Sequence, residues 1–141
     1  MENRTLFIIH FIASTYMLGV IWIVQIIHYP LFLMVGKDAF VAYELEHVNK
    51  TALVIAIPML LELATYLALL YFNVSLRKNP LFLGTGFLLF IIWVTTFFVS
   101  VPLHNQLSIG FDQKAVESLI HTNWIRTIAW SLRVAVLCSF I

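Results

Sequence analysis

Four apolar runs alternate with short polar segments along the chain, at about residues 6–27, 51–72, 81–101 and 123–140. The runs are continuous, unlike the alternation of a half-buried strand. A hydrocarbon core of about 30 Å takes roughly 20 apolar residues in helical form, so each run is long enough to cross once and too short to cross twice. Four strands cannot close a barrel, which leaves helices as the spanning structure. The pattern predicts an all-α integral membrane four-helix bundle, up-down-up-down, in a single domain covering residues 1–141. Helices two and four are expected to extend beyond the bilayer, from about Asp38 and Asp112, each of which can act as an N-cap. The first run is expected to end at His28-Tyr29-Pro30 and the third at Pro102, and Pro58 is placed to kink the second helix. Gly84 and Gly86 allow close helix approach in the third. No convincing internal repeat is visible.

Composition sharpens this picture. The chain is 62% hydrophobic and 11% charged, with mean hydropathy +0.96, whereas soluble domains average roughly 45–50% and about 25%. So much apolar surface has no place in a water-soluble fold, and the lipid bilayer is the first partner. A net charge of +1 argues against nucleic acid. Cys138 is the single cysteine, which excludes a disulfide framework and a cysteine-based metal motif. The N-terminal run lacks a small-residue cleavage site and reads as a retained span rather than a signal peptide. Arg4, Arg77 and Lys78 lie on one side with no acid beside the latter two, while Lys37, Lys50 and Lys114 on the other are mixed with Asp38, Glu44, Glu46, Asp112 and Glu117. The basic bias predicts a multi-pass inner (plasma) membrane protein with both termini cytoplasmic.

Candidate chemistry gathers at the opposite end. His28 and His104 follow the first and third runs, and His47 and His121 precede the second and fourth. Alternating spans bring all four to one face. Glu44-x-x-His47 sets a carboxylate and an imidazole on one helix face, a spacing that di-iron bundles use in two copies; it equally suits a solvated helix start. His28, His47 and His104 are the best-placed ligands, with Glu44 completing the set or replacing one of them, and such donors suit zinc, copper or non-haem iron. His121 points more than roughly 100° away from Arg126, toward Lys114 and Glu117, and is either a ligand or a solvated interface residue. His10 lies about 27 Å along the helix from His28, too far to join that site; it reads as a satisfied polar residue near the cytoplasmic interface.

Inside the spans, Glu62 is a carboxylate where one is costly, and Arg133 lies at comparable depth. The two either form a structural bridge or Glu62 is a buried proton-accepting or ligand-orienting group. Thr122, Arg126, Trp130 and Arg133 share a face of the fourth helix, with Asn123 at its edge. The arginines can bind an anionic group or polarise an oxygen function.

The pattern Gln25-x-x-His28-Tyr29-Pro30-Leu31-Phe32, then Phe40-x-x-Tyr43-x-x-x-His47, then Val101-Pro102-Leu103-His104-x-x-Leu107, then Asn123-Trp124-x-Arg126-Thr127-x-x-Trp130-x-x-Arg133 covers most of the chain. It resembles small bacterial four-span membrane proteins of unknown function. It is more distantly similar to the anthrone oxygenase-like superfamily, on Pro102, Leu103, Trp130 and Arg133. That resemblance implies oxidation of a polycyclic phenolic substrate. His104 stands where that superfamily is expected to carry Asn, which marks a difference in chemistry.

The leading expectation is a metal-dependent oxidoreductase or oxygenase acting on a lipophilic small molecule. Arg126 and Asn123 would orient the substrate oxygen, and Glu44 or Glu62 would move a proton. Arg133 and Trp130 would add to the binding face. The alternatives are a haem-b electron-transfer protein with two of the four histidines as axial ligands, a non-enzymatic carrier, and an assembly subunit. The chain has no nucleotide-binding glycine loop, no nucleophile elbow and no HExxH, which argues against ATP, NAD and hydrolase chemistry. With little interior volume, a homo-oligomer with its pocket between protomers is also expected.

Overall fold

The computed structural model describes residues 2–141 and, among them, holds helices and turns without a strand. Five helices carry the fold: α1 (Glu2–Ile23), α2 (Lys37–Phe72), α3 (Pro80–Thr95), α4 (Val101–Leu107) and α5 (Gln113–Leu137). Short turns join some of them end to end into longer rods. Three rods are long and apolar enough to cross a membrane: Arg4–Met34, Lys37–Phe72 and Pro80–Leu107. The fourth, α5, carries Lys114, Glu117, His121, Arg126 and Arg133 among its apolar residues and does not reach that standard of apolarity.

Local signals set the helix ends. Asp112 accepts from the Lys114 and Ala115 backbone N–H groups and starts α5. Asn79 does the same for Leu81 and Phe82 at the start of α3, with Pro80 in its first turn. The start of α2 differs from the sequence expectation. Gly36, not Asp38, is the cap residue, extended at ψ 142° and offering no side-chain bond. Asp38 lies inside the first turn, where its charge still complements the helix dipole.

The expected ends at His28-Tyr29-Pro30 and at Pro102 are corrected. Neither proline stops its rod. Val24–His28 and Thr96–Ser100 are π-helical turns, and the chain continues helically through Tyr29–Leu31 and through α4. In each case the proline follows the π turn by two residues. A helical proline clashes with the carbonyl four residues back, here that of Ile26 or Phe98, and both lie within the widened turn. That turn accommodates the ring. The first and third rods therefore share one device that no sequence repeat announces. Single-turn π segments recur at functional sites, and both are found here at one end of the molecule.

The first rod packs on α2 and on α5, and α3 packs on α5. The second and third rods stand apart through their middle, and α2 meets the third rod chiefly at α4. At the far end Tyr66 stacks on Phe82, with ring centroids 5.1 Å apart, and donates to the Phe82 carbonyl. Gly86 makes that approach fit: a Cβ there would lie 2.0 Å from the Tyr66 hydroxyl. Gly84 has open space around it, so of the two glycines only Gly86 serves close packing.

The interior is layered. One apolar cluster at the His28 end centres on Phe32, Phe40, Leu107 and Leu119. A middle cluster holds Met17, Ile21, Met59, Ile92 and Trp130. A third holds Phe7, Leu69, Phe82 and Leu137. Two polar networks lie between these layers. Outward faces carry large exposed apolar side chains, among them Leu53, Ile57, Phe87 and Phe98, a surface suited to lipid.

Candidate functional site

The first polar network is built where the π turns lie. The Val24–His28 turn and the residue after it bring Gln25, His28 and Tyr29 toward α2 and α5. On α2, Glu44 and His47 are both buried, as their i, i+3 spacing allows. On α4, His104 follows Pro102 by two residues and stays helical. On α5, Asn123 and Arg126 share the buried face.

Hydrogen bonds then define a directed chain. Arg126 Nη2 donates to the Tyr29 hydroxyl at 3.2 Å. A guanidinium only donates, so the tyrosine proton is free for His104 Nε2, 3.0 Å away. His104 Nδ1–H then donates to Glu44 Oε1 at 2.5 Å. With a neutral His104 the order Arg126, Tyr29, His104, Glu44 gives every group its proper role. A second branch holds Arg126: Asn123 Oδ1 accepts from it at 2.5 Å, and Asn123 Nδ2 donates to Gln25 Oε1 at 2.9 Å. Gln25 is fixed in turn by donating to the Ile120 carbonyl.

The remaining imidazoles lie alongside. His28 Nε2 and His47 Nδ1 share a hydrogen bond of 2.7 Å, and Thr51 reaches the same nitrogen at 3.0 Å. Phe32 packs edge-on beneath both rings, with centroids 5.3 and 5.0 Å away. The His47 and His104 ring centroids are 5.1 Å apart. One donor atom from each of Glu44, His47 and His104 lies within 4.8 Å of the others, a group able to hold a metal ion.

An open cleft of about 170 Å³ adjoins this group, lined by Tyr29, His47, Thr51, Ser100, His104 and Arg126 among others. Four buried side-chain polar atoms lack a hydrogen-bond partner among the described residues: Arg126 Nε, Ser100 Oγ, Glu44 Oε2 and Trp93 Nε1. Arg126 and Ser100 line the cleft itself. Glu44 is bonded to its lining residue His104, and Trp93 lines the apolar slot continuous with it. Unmet polar groups are rare in folded interiors and call for an explanation; their concentration here makes the cleft the candidate site.

The sequence-predicted residues separate cleanly. Glu44, His47 and His104 come together, and His28 contacts them through His47. Asn123 and Arg126 stand at the same level. His121 does not join: it is exposed on α5 and outside the metal-capable group. Glu62, Arg133 and Trp130 form the second network, about 22 Å further along α2 counting from His47 to Glu62. Glu62 accepts from Ser14 at 2.6 Å, Trp130 at 3.1 Å and Arg133 Nε at 2.9 Å. Arg133 also donates to the Thr85 carbonyl and to His10 Nε2. His10 is therefore neutral, with its Nδ1–H given to Thr65 at 2.8 Å. Glu62 and Arg133 are both fully buried, do not line the open cleft, and leave no unmet polar atom. The lone Cys138 is exposed on the last turn.

Tyr29 is the residue of the candidate site that sequence reasoning missed. It reads as part of a span-ending His-Tyr-Pro element, and nothing in the sequence shows that the chain stays helical and turns its hydroxyl between Arg126 and His104. Thr96 and Ser100 were missed for the same reason, since they lie in the second π turn. Among protein-family models, curated proteins and solved structures no match to this chain was found, so the reading of its site rests on its own residues.

Proposed function

We propose that this chain is a four-span plasma-membrane bundle, up-down-up-down with both termini cytoplasmic, that binds a metal ion through Glu44, His47 and His104 and oxidises a lipophilic small molecule in the adjoining cleft. The observation that carries the reading is the convergence of these three donors within 4.8 Å, beside an open cleft and with Glu44 Oε2 buried and unpartnered. Two imidazoles and one carboxylate with open positions are the donor set of non-haem iron oxygenases. Copper and zinc also accept these ligands, and iron or copper would supply electron-transfer and oxygen chemistry when bound.

The chain's own residues divide the remaining work. His28 and Thr51 hold the His47 ring through its Nδ1, the kind of outer support that orients a ligand. Arg126, fixed by Asn123, presents a positive charge to an oxygen of the substrate. Tyr29 stands between Arg126 and His104 and lines the cleft, where its hydroxyl is placed to give or take a proton. Glu62 and Arg133 hold the helices together and take no part in the cleft.

The haem reading is less well supported. Axial imidazoles need about 4 Å between nitrogens across the iron, whereas His28 and His47 bond to each other directly at 2.7 Å. The cleft of about 170 Å³ is also below the size of ordinary cofactor pockets.

Elemental analysis of detergent-purified protein tests the proposal. Wild type and His121→Ala are expected to carry stoichiometric iron, copper or zinc, and His47→Ala and His104→Ala to have lost most of it. Equal metal in all four proteins, or none in wild type purified without chelator, contradicts the reading.

A further inference from the structure

We propose that the ligand of this cleft is a single-chain lipid carboxylate, seated with its head at Arg126 and its chain in the seam between α2 and α3. The inference deepens the proposed function by naming the substrate class, and it uses the cleft without depending on the metal.

The head position follows from charge. Arg126 is 5% exposed. Its partners are the Tyr29 hydroxyl, the Asn123 carbonyl oxygen and the Thr96 hydroxyl, all neutral. No carboxylate pairs with it among the described residues. The nearby acid, Glu44, is committed to His104. A buried cation without a counter-ion is costly, and an anion in the cleft removes that cost. Arg126 Nε and Ser100 Oγ, both buried and unpartnered, are the donors left for it. A carboxylate oxygen can accept a charge-assisted hydrogen bond from Arg126 Nε, the guanidinium donor left unpartnered.

The chain position follows from the open seam. The cleft shares Ala52, Ile55 and Thr96 with an apolar slot of about 260 Å³ bounded by Ala56, Met59, Trp93 and Phe97. The slot shares Trp93 with a further groove that reaches Gly86. From Ser100 to Gly86 the seam runs about 21 Å at 1.5 Å per residue, against about 15 Å for the hydrocarbon depth of one leaflet. An acyl chain of leaflet length fits it. Because α2 and α3 stand apart there, the chain enters sideways from the bilayer, with no need to pass through water.

Binding of cis-parinaric acid, a fluorescent long-chain carboxylic acid, tests this on the purified protein in detergent, with its methyl ester as the neutral counterpart. Ala56→Trp fills the slot from an exposed position, and Arg126→Gln removes the head charge. Saturable binding of the acid is expected, weakened about tenfold or more in each variant and in the ester. Equal binding of acid and ester overturns the carboxylate head, and wild-type affinity in Ala56→Trp overturns the seam. The two readings fail separately. Acid binding by protein that holds no metal leaves this inference standing and removes the metal site. Stoichiometric metal with no acid binding removes this inference and leaves the metal site in place.

Discussion

Replacing Arg133 with Met is expected to cost about 3–5 kcal/mol of stability, the usual result of stripping a buried ion pair of one partner. For a chain of this size that corresponds to a fall of roughly 10–15 °C in unfolding midpoint. The size of the effect comes from what the side chain holds. Arg133 is fully buried, and its loss leaves the Glu62 carboxylate with only Ser14 and Trp130. The Thr85 carbonyl and His10 Nε2 lose the same donor. Three elements, α1, α2 and α3, are tied to α5 through this one residue. Removing both charges, with Glu62→Met added, is expected to recover much of the loss, because a matched apolar pair carries no stranded charge. Thermal unfolding of wild type, both single variants and the double variant in detergent reads this directly. Additive losses in the double variant would show that the pair is not coupled. Metal content in the folded fraction of Arg133→Met should remain at the wild-type level, since this network shares no hydrogen bond with the cleft.

The second large effect concerns Glu44. Glu44→Gln keeps the size of the side chain and one oxygen able to accept from His104, but removes its negative charge. Metal affinity is expected to fall by more than the 10–100-fold typical of losing an outer support. Thr51→Val, which removes one partner of His47 and no ligand, should stay within that about 10–100-fold range. Competition against a chelator of known affinity separates the two. Wild-type affinity in Glu44→Gln would remove the carboxylate from the ligand set. The substitution should leave folding intact, because the amide oxygen still accepts from His104 and Glu44 Oε2 has no partner to lose.

Much of the architecture was legible in the chain, and the limits of that legibility have a physical cause. Run length and continuity are enough to predict helices, because no other element satisfies its backbone across so many apolar residues. The pairing of Glu62 with Arg133 was legible from depth alone. The separation of His121 from Arg126 followed from helical angle, which holds along an uninterrupted α5. The same arithmetic fails at Val24–His28 and Thr96–Ser100, where a π turn adds a residue to the turn and rotates everything beyond it. Pro30 and Pro102 read as stops because a proline inside a helix normally clashes, and only the widened turn before each removes the clash. Tyr29, Thr96 and Ser100 thus stayed hidden, although they complete the cleft. His10 illustrates another limit. Its spacing rules it out of the histidine group, yet the sequence does not show that it accepts from Arg133 across the bundle.

X-ray absorption at the metal edge of the loaded protein reads the proposed Glu44, His47 and His104 ligand set directly. A first shell of nitrogen and oxygen at about 2.0–2.2 Å is expected, with outer-shell scattering from two imidazoles, unchanged in His121→Ala and largely lost with the metal in His104→Ala. A sulfur shell at about 2.3 Å, a shell without imidazole, or failure to take up iron, copper or zinc stoichiometrically would contradict it.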